Sequence, residues 1–401
     1  MQLIALSWRY LWARPLASVL NLLLLSVSLA SITLVLLVRE QVDRAFERDL
    51  AGIDLVVGAK GSPLQLILAG VFHIDVPPGN IALADARALG EHPLVAQWIP
   101  LSLGDSYRGF RIVGTSPEYI AHYRATLQSG ALWSAPMQAV VGAQVAREAA
   151  LPVGASFAGS HGLGSGGAAH DQAPYEVSGV LASCACVLDR LILTATESVW
   201  QLHEKMHATD DEERKALEAE REVTMALIRY RSPLAAVTLP RFVNASTALQ
   251  AAAPAVEVTR LFRLLGVGTD VLRGCGLVLL LCAGLSMFIA LWSAVRERLP
   301  DLAMLRMLGA PPRRVAGLVA LEALWLALLA SAIGAGLGHG LTEALGTLLQ
   351  AQRSLAITGA HVSASEVWVP VLALSVAMLA AALPAWTAYR VDTLRLMARA
   401  P

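Results

Sequence analysis

The chain has 401 residues, 56 % of them hydrophobic and 15 % charged, and its 31 basic and 31 acidic residues leave a formal net charge of zero. A soluble domain carries about 25 % charged residues, so the composition excludes an ordinary soluble protein and points to the bilayer. The balanced charge gives no long-range field for nucleic acid, and four cysteines are too few for a disulfide scaffold.

Crossing the hydrocarbon core takes about 20 apolar residues. Residues 1–14 carry Arg9 and Arg14, and no charge follows from Pro15 to Val38. This stretch, 15–38, predicts the first transmembrane helix. It exceeds the apolar core of a signal peptide, about 7–15 residues, and no convincing small-x-small site closes it, so it reads as a retained anchor.

Residues 39–273 alternate short β-rich runs with helical ones and predict an α+β extracytoplasmic domain between the first and second spans. Strands are expected at Ile53–Val57, Phe110–Val113, Ala139–Val141, Tyr175–Leu181 and Leu191–Thr194, and helices at Asp85–Gly90, Pro117–Leu127 and Gln144–Ala150. Gly159–Ala173, rich in Gly, Ala and His, reads as a mobile loop. Glu197–Ile228 reads as a charged helical pattern whose acidic middle is a solvated face or an insert.

The second span is 274–295, and its Cys275 and Cys282 read as small membrane-buried residues. A cytoplasmic connector, 296–314, leads to the third span at 315–338, which carries one acid, Glu322. A short outer loop at 339–366, the fourth span at 367–389 and a tail at 390–401 complete the fold class: a four-span α-helical membrane protein with an α+β outer domain. Arginines concentrate in residues 1–14, in the connector and in the tail, whereas 339–366 carries only Arg353. By the positive-inside rule both termini and the connector face the cytoplasm. Trp8, Trp12, Trp292, Trp368 and Trp386 lie near span ends, as an interfacial belt would.

In the connector, Leu302, Leu305 and Leu308, with Ala303 and Met304, form an apolar stripe at helical spacing. Pro300-Asp301 suits a helix start and Gly309 its end. Such a helix either docks on a cytoplasmic partner or lies on the membrane surface. Gly334, Gly336, Gly338 and Gly340 give overlapped G-x-x-x-G spacings, which let helices approach closely within a protomer or between protomers. Glu322 stands about 12 Å into the third span. An acid at that depth is a functional candidate, or it is a structural group paired with an arginine such as Arg14 or Arg390.

The run Arg296-Glu297-Arg298-Leu299-Pro300-Asp301-Leu302-Ala303-Met304-Leu305-Arg306-Met307-Leu308-Gly309-Ala310 resembles the R-x-x-E-I-x-x-L-R-A-L-G-A element of the MacB/FtsX family, the type VII ABC transporters. The close Pro384-Ala385-Trp386-Thr387-Ala388-Tyr389-Arg390 is similar to the family's P-A-x-x-A ending. Val113-Gly114, followed by Leu127–Leu132 and Ala139–Gly142, is similar to its periplasmic core, and the layout agrees over nearly the whole chain. Pro300-Asp301 departs from the usual Glu-Ile, and Thr393 stands where many members have proline. The resemblance implies a bacterial inner-membrane permease, homodimeric and bound to two ATPase subunits, acting by mechanotransmission with a possible periplasmic partner. It also assigns ATPase coupling to Arg298, Leu302, Leu305, Arg306, Leu308 and Gly309, and places a glutamate near position 322 in many members. The chain has no G-x-x-x-x-G-K-[ST] loop, so ATP and magnesium are expected in the partner.

Two motifs suggest other chemistry. His203-Glu204-Lys205-Met206-His207 matches H-E-x-x-H, which on a helix puts two imidazoles on one face for zinc with Glu204 as base, or is a chance match. His161, His170, Cys184, Cys186, His203 and His207 together offer imidazole and thiolate suited to zinc or copper, or are scattered residues with a C-x-C pair that is free or disulfide-linked. The alternative functions are therefore an ATPase-driven regulator, a zinc-handling sensor without transport of its own, or a membrane-anchored protease.

Overall fold

A computed structural model describes residues 2–162, 173–207, 220–351 and 357–390. The chain divides into two compact units, one of residues 1–42 and 265–401, the other of residues 43–264.

The first unit is a helix bundle. Four of its helices are long and apolar enough to cross a membrane: Pro15–Leu50, Asp270–Glu297, Pro312–Leu349 and Ala364–Tyr389. The helices outrun their apolar cores. The helix that contains the second begins before it, at Pro254. Helix propensity, not hydropathy, sets such ends, which is why the apolar stretches alone underestimate them. The core is a seam of Leu25, Leu29, Leu280, Ala283, Met287, Leu318, Ala323, Ala327, Ala373 and Ala377, all buried. Alanine is frequent in it because lipid gives apolar side chains no drive to leave it, so association rests on close backbone packing.

The third helix shows this at single residues. A Cβ on Gly334 would meet Leu29 Cβ at 2.8 Å, and one on Gly338 would meet Thr33 Cβ at 2.6 Å. These two glycines seat the third helix on the first. Gly336 and Gly340 have nothing within 4 Å and face away. The overlapped motif thus splits into a used half and an open half.

The second unit holds an 11-stranded sheet. Its main path runs Leu249–Ala252, Leu55–Ala59, Met225–Tyr230, Val95–Tyr107, Phe110–Thr115, Leu191–Ala195, Gln138–Val141, Tyr175–Leu181 and Leu127–Gly130. The order is far from sequential, and pairing is mixed: Leu191–Ala195 runs parallel to Phe110–Thr115 but antiparallel to Gln138–Val141. One core packs Leu55, Val57, Ile228, Leu239 and Val243, another Phe110, Ile112, Val141, Tyr175 and Ile192.

Two sequence expectations fail here. Glu197–Ile228 is not one helical pattern: a helix covers Thr196–His207, and Met225–Tyr230 is an interior strand. Its short apolar run Met-Ala-Leu-Ile is ambiguous by periodicity and is decided by pairing on both sides. Pro117–Leu127 is helical only over Glu118–His122, and Leu127 opens an edge strand.

Candidate functional site

The connector between the second and third spans folds as the helix Leu299–Met307. Arg298 is its N-cap and Pro300 lies in the first turn, where a missing N–H costs nothing. At the other end the Gly309 N–H donates to the Arg306 carbonyl at 3.1 Å, and the Ala310 N–H donates to the Leu305 carbonyl at 3.0 Å. These are the two bonds of a Schellman termination, and Gly309 at φ +93° supplies the left-handed residue it requires.

This helix does not present its leucine stripe outward. Leu302 is 2 % exposed and packs in the bundle core, Ala303 is buried, and Leu305 is half-buried against the same core. The apolar side chains facing out are Met304, Met307 and Leu308, the last 79 % exposed. Spacings of three and four residues set these three on one helix face. The expected coupling stripe is thus corrected: Leu302 and Leu305 anchor the helix, and Leu308 belongs to the exposed face. Periodicity finds an apolar stripe but cannot tell which of two such faces a neighbour covers.

Arg298 is also reassigned. Its Nη1 donates to Glu322 Oε1 at 2.9 Å, its Nη2 donates to the Tyr10 carbonyl at 2.8 Å, and its guanidinium lies 4.4 Å from the Tyr10 ring centroid. Its side chain is 15 % exposed and that of Glu322 is 7 % exposed. One partly buried cation therefore joins the N-terminal helix Gln2–Trp12, the connector helix and the third span. The partner of Glu322 is Arg298, not Arg14 or Arg390: Arg14 pairs with Glu297, and Arg390 stacks on Trp386 with 4.5 Å from guanidinium to centroid. Arg306 donates to the Tyr389 carbonyl at 3.3 Å, at the end of the fourth span.

The metal expectation fares differently. His170 and the side chains of His203 and His207 lie outside the described residues. His161 Nδ1 stands 3.0 Å from Asp105 Oδ1. Cys184 and Cys186 form a disulfide, and disulfide sulfurs offer no thiolate to a metal, which corrects their assignment as ligands. Asp189 organises that tight turn by accepting from the backbone N–H groups of Cys184 and Ala185 and from the Ser183 hydroxyl. Among the described residues no group of three His, Cys, Asp or Glu side chains is placed to hold a metal.

Within the second unit sits a buried polar cluster the sequence reading missed. His73 shares a 2.9 Å hydrogen bond with the Tyr119 hydroxyl, and Arg111 Nη2 donates to the Asp75 carbonyl at 2.8 Å. Burial pushes Arg111 down to about 10, opposed by the Asp75 carboxylate. Burial, with the cations Arg111 and Arg190, holds His73 well below its ordinary value and so neutral. No local motif marks these residues; only the fold buries them together.

Four membrane-length helices, a short capped helix slung between two of them and a separate α+β unit define a multi-pass membrane subunit of the permease kind. A family model described as the MacB-like periplasmic core domain matches residues 18–232, more than half of the chain, and one described as FtsX-like permease C-terminal matches residues 274–393. The chain belongs to the MacB/FtsX family of ABC transporter permeases. No curated protein matches it. Two solved structures are similar to part of the chain. One is the periplasmic region of MacB from Actinobacillus actinomycetemcomitans, at 12 % identity over 54 % of this chain and 95 % of that one, with a TM-score of 0.35. The other is the extracellular domain of the noncanonic ABC-type transporter YknZ from Gram-positive bacteria, at 13 % identity over 49 % and 98 %, with a TM-score of 0.30.

Proposed function

We infer that this chain is the non-catalytic membrane subunit of a bacterial inner-membrane ABC transporter that turns ATP hydrolysis by a separate ATPase into movement of a periplasmic domain. The observation that carries the reading is the connector helix. It offers Met304, Met307 and Leu308 outward while Arg298 ties its base to Glu322 and to Tyr10. An apolar face of this kind suits a groove on a partner, and unbranched methionines adapt to such a surface. Motion of the helix then reaches the N-terminal helix and the third span through Arg298. In this reading both termini are cytoplasmic, the outer domain lies between the first and second spans, and two permease chains assemble with two ATPases. The open Gly336 and Gly340 face suits the contact between copies. The work is done on the outer side, by extraction or export of a substrate.

Placing a charge in a desolvated contact costs several kcal/mol. Leu308→Asp, at an exposed site outside the bundle core, is therefore expected to abolish co-purification of the ATPase while leaving insertion and thermal stability unchanged. Arg313→Lys, also at an exposed site, is the control. Wild-type ATPase yield with Leu308→Asp would overturn the docking assignment.

A further inference from the structure

At the end of the bundle remote from the connector lies a cavity of about 420 Å³. That volume falls within the roughly 300–1,000 Å³ of small-molecule sites. Its walls come from the first helix (Thr33), the third (Ser331, Ala332, Ala335) and the start of the fourth with the turn before it (Ser363, Glu366). The space exists because the third helix is cut back to serine and alanine at 331, 332 and 335, spacings that stack on one face.

Its chemistry is graded. The alanines, with Val369 and Pro370, are apolar. Thr33, also in the wall, is fully buried. Glu366 is the one ionisable side chain among the described lining residues. It accepts from the Ser363 N–H at 2.6 Å and meets His339 Nε2 at 2.8 Å. A carboxylate has about four acceptor sites, so these contacts leave capacity for another donor. Glu40 extends the acidic rim, accepting from the Ser363 hydroxyl. Trp368, 68 % exposed, opens the fourth helix beside it, where an interfacial aromatic sits.

We propose that this cavity binds one phospholipid with a hydrogen-bond-donating head group, of the ethanolamine type. One acyl chain lies against Ala332, Ala335 and Val369. The ammonium donates to Glu366. The site depends on the four helices spanning a bilayer and not on the ATPase coupling argued above.

The test is native mass spectrometry of the full chain, delipidated in detergent and titrated with phosphatidylethanolamine. One lipid per protomer is expected, held at least fivefold more tightly than phosphatidylcholine, whose quaternary ammonium cannot donate. Ala335→Phe fills the cavity and should weaken binding at least tenfold. Glu366→Gln keeps the shape but removes the acceptor charge and should weaken it severalfold. Leu379→Phe, on the exposed side of the fourth helix, should change nothing. Wild-type binding by both Ala335→Phe and Glu366→Gln overturns the site, and equal affinity for the two lipids overturns the head-group assignment.

Discussion

Removing the Arg298–Glu322 pair tests the coupling argument most directly. Glu322→Ala leaves a guanidinium that is 15 % exposed facing an apolar seam, still bonded to the Tyr10 carbonyl. Breaking a buried pair from one side costs about 3–5 kcal/mol. The surviving bond and the partial exposure of Arg298 put the expected loss near the low end, about 3 kcal/mol. Replacing both partners with apolar residues behaves differently, because no orphaned charge remains. Arg298→Met with Glu322→Leu should therefore lie within about 1 kcal/mol of wild type in stability, or exceed it. Denaturant titration in mixed micelles measures these differences, and a reconstituted complex reports coupling of ATP hydrolysis to activity. The double variant is expected to fold and bind ATPase normally, yet to hydrolyse ATP uncoupled from activity. A double variant that is fully coupled would refute the idea that this pair carries motion and leave it a packing element.

Three further outcomes are expected. Gly338→Ala drives a Cβ to 2.6 Å from Thr33 Cβ and should cost about 1–3 kcal/mol, whereas Gly336→Ala should stay within about 0.5 kcal/mol in the monomer; equal effects in thermal unfolding would contradict the split motif. Gly309→Ala meets no neighbour but must hold φ +93°, so calorimetry should register about 1 kcal/mol from backbone strain alone, and a neutral result would argue against the left-handed cap. His73 stays neutral when folded but takes a proton when unfolded below its ordinary value of 6.5. Its contribution is thus intact above that pH and lost as pH falls below it, with a slope of at most about 1.4 kcal/mol per unit. His73→Asn, which suits the positive φ of 55°, should flatten the pH profile of unfolding between 6.5 and 5, and an unchanged slope would remove His73 as the cause.

The bundle was legible because bilayer thickness imposes a length on apolar runs that few other pressures imitate. The mixed sheet was only half legible. Tyr175–Leu181 stands out in the sequence and is found as a strand, but Val95–Tyr107 does not, since Pro100 and Gly104 interrupt it and read as turn signals. Met225–Tyr230 was hidden by the acidic stretch before it. The connector helix was located correctly and turned wrongly: hydrophobicity named Leu302 and Leu308 alike, and only the seam formed by Leu318 and Val319 distinguishes them. Arg298 reads as a motif residue facing a partner. Its real contacts include a carbonyl 288 positions earlier, and no local pattern encodes that distance.

The joints of the connector helix are unequal. On one side Arg298 alone separates it from the helix ending at Glu297, its backbone in the bridge region at φ −90° and ψ 5°. On the other side residues 308–311 intervene, with the left-handed Gly309 among them. The first joint is a one-residue elbow and the second a four-residue turn closed by its own hydrogen bonds. In the proposed coupling, a push on the helix would turn the second span through the elbow and draw on the third through Glu322, so a straight displacement would leave the bundle as a twist.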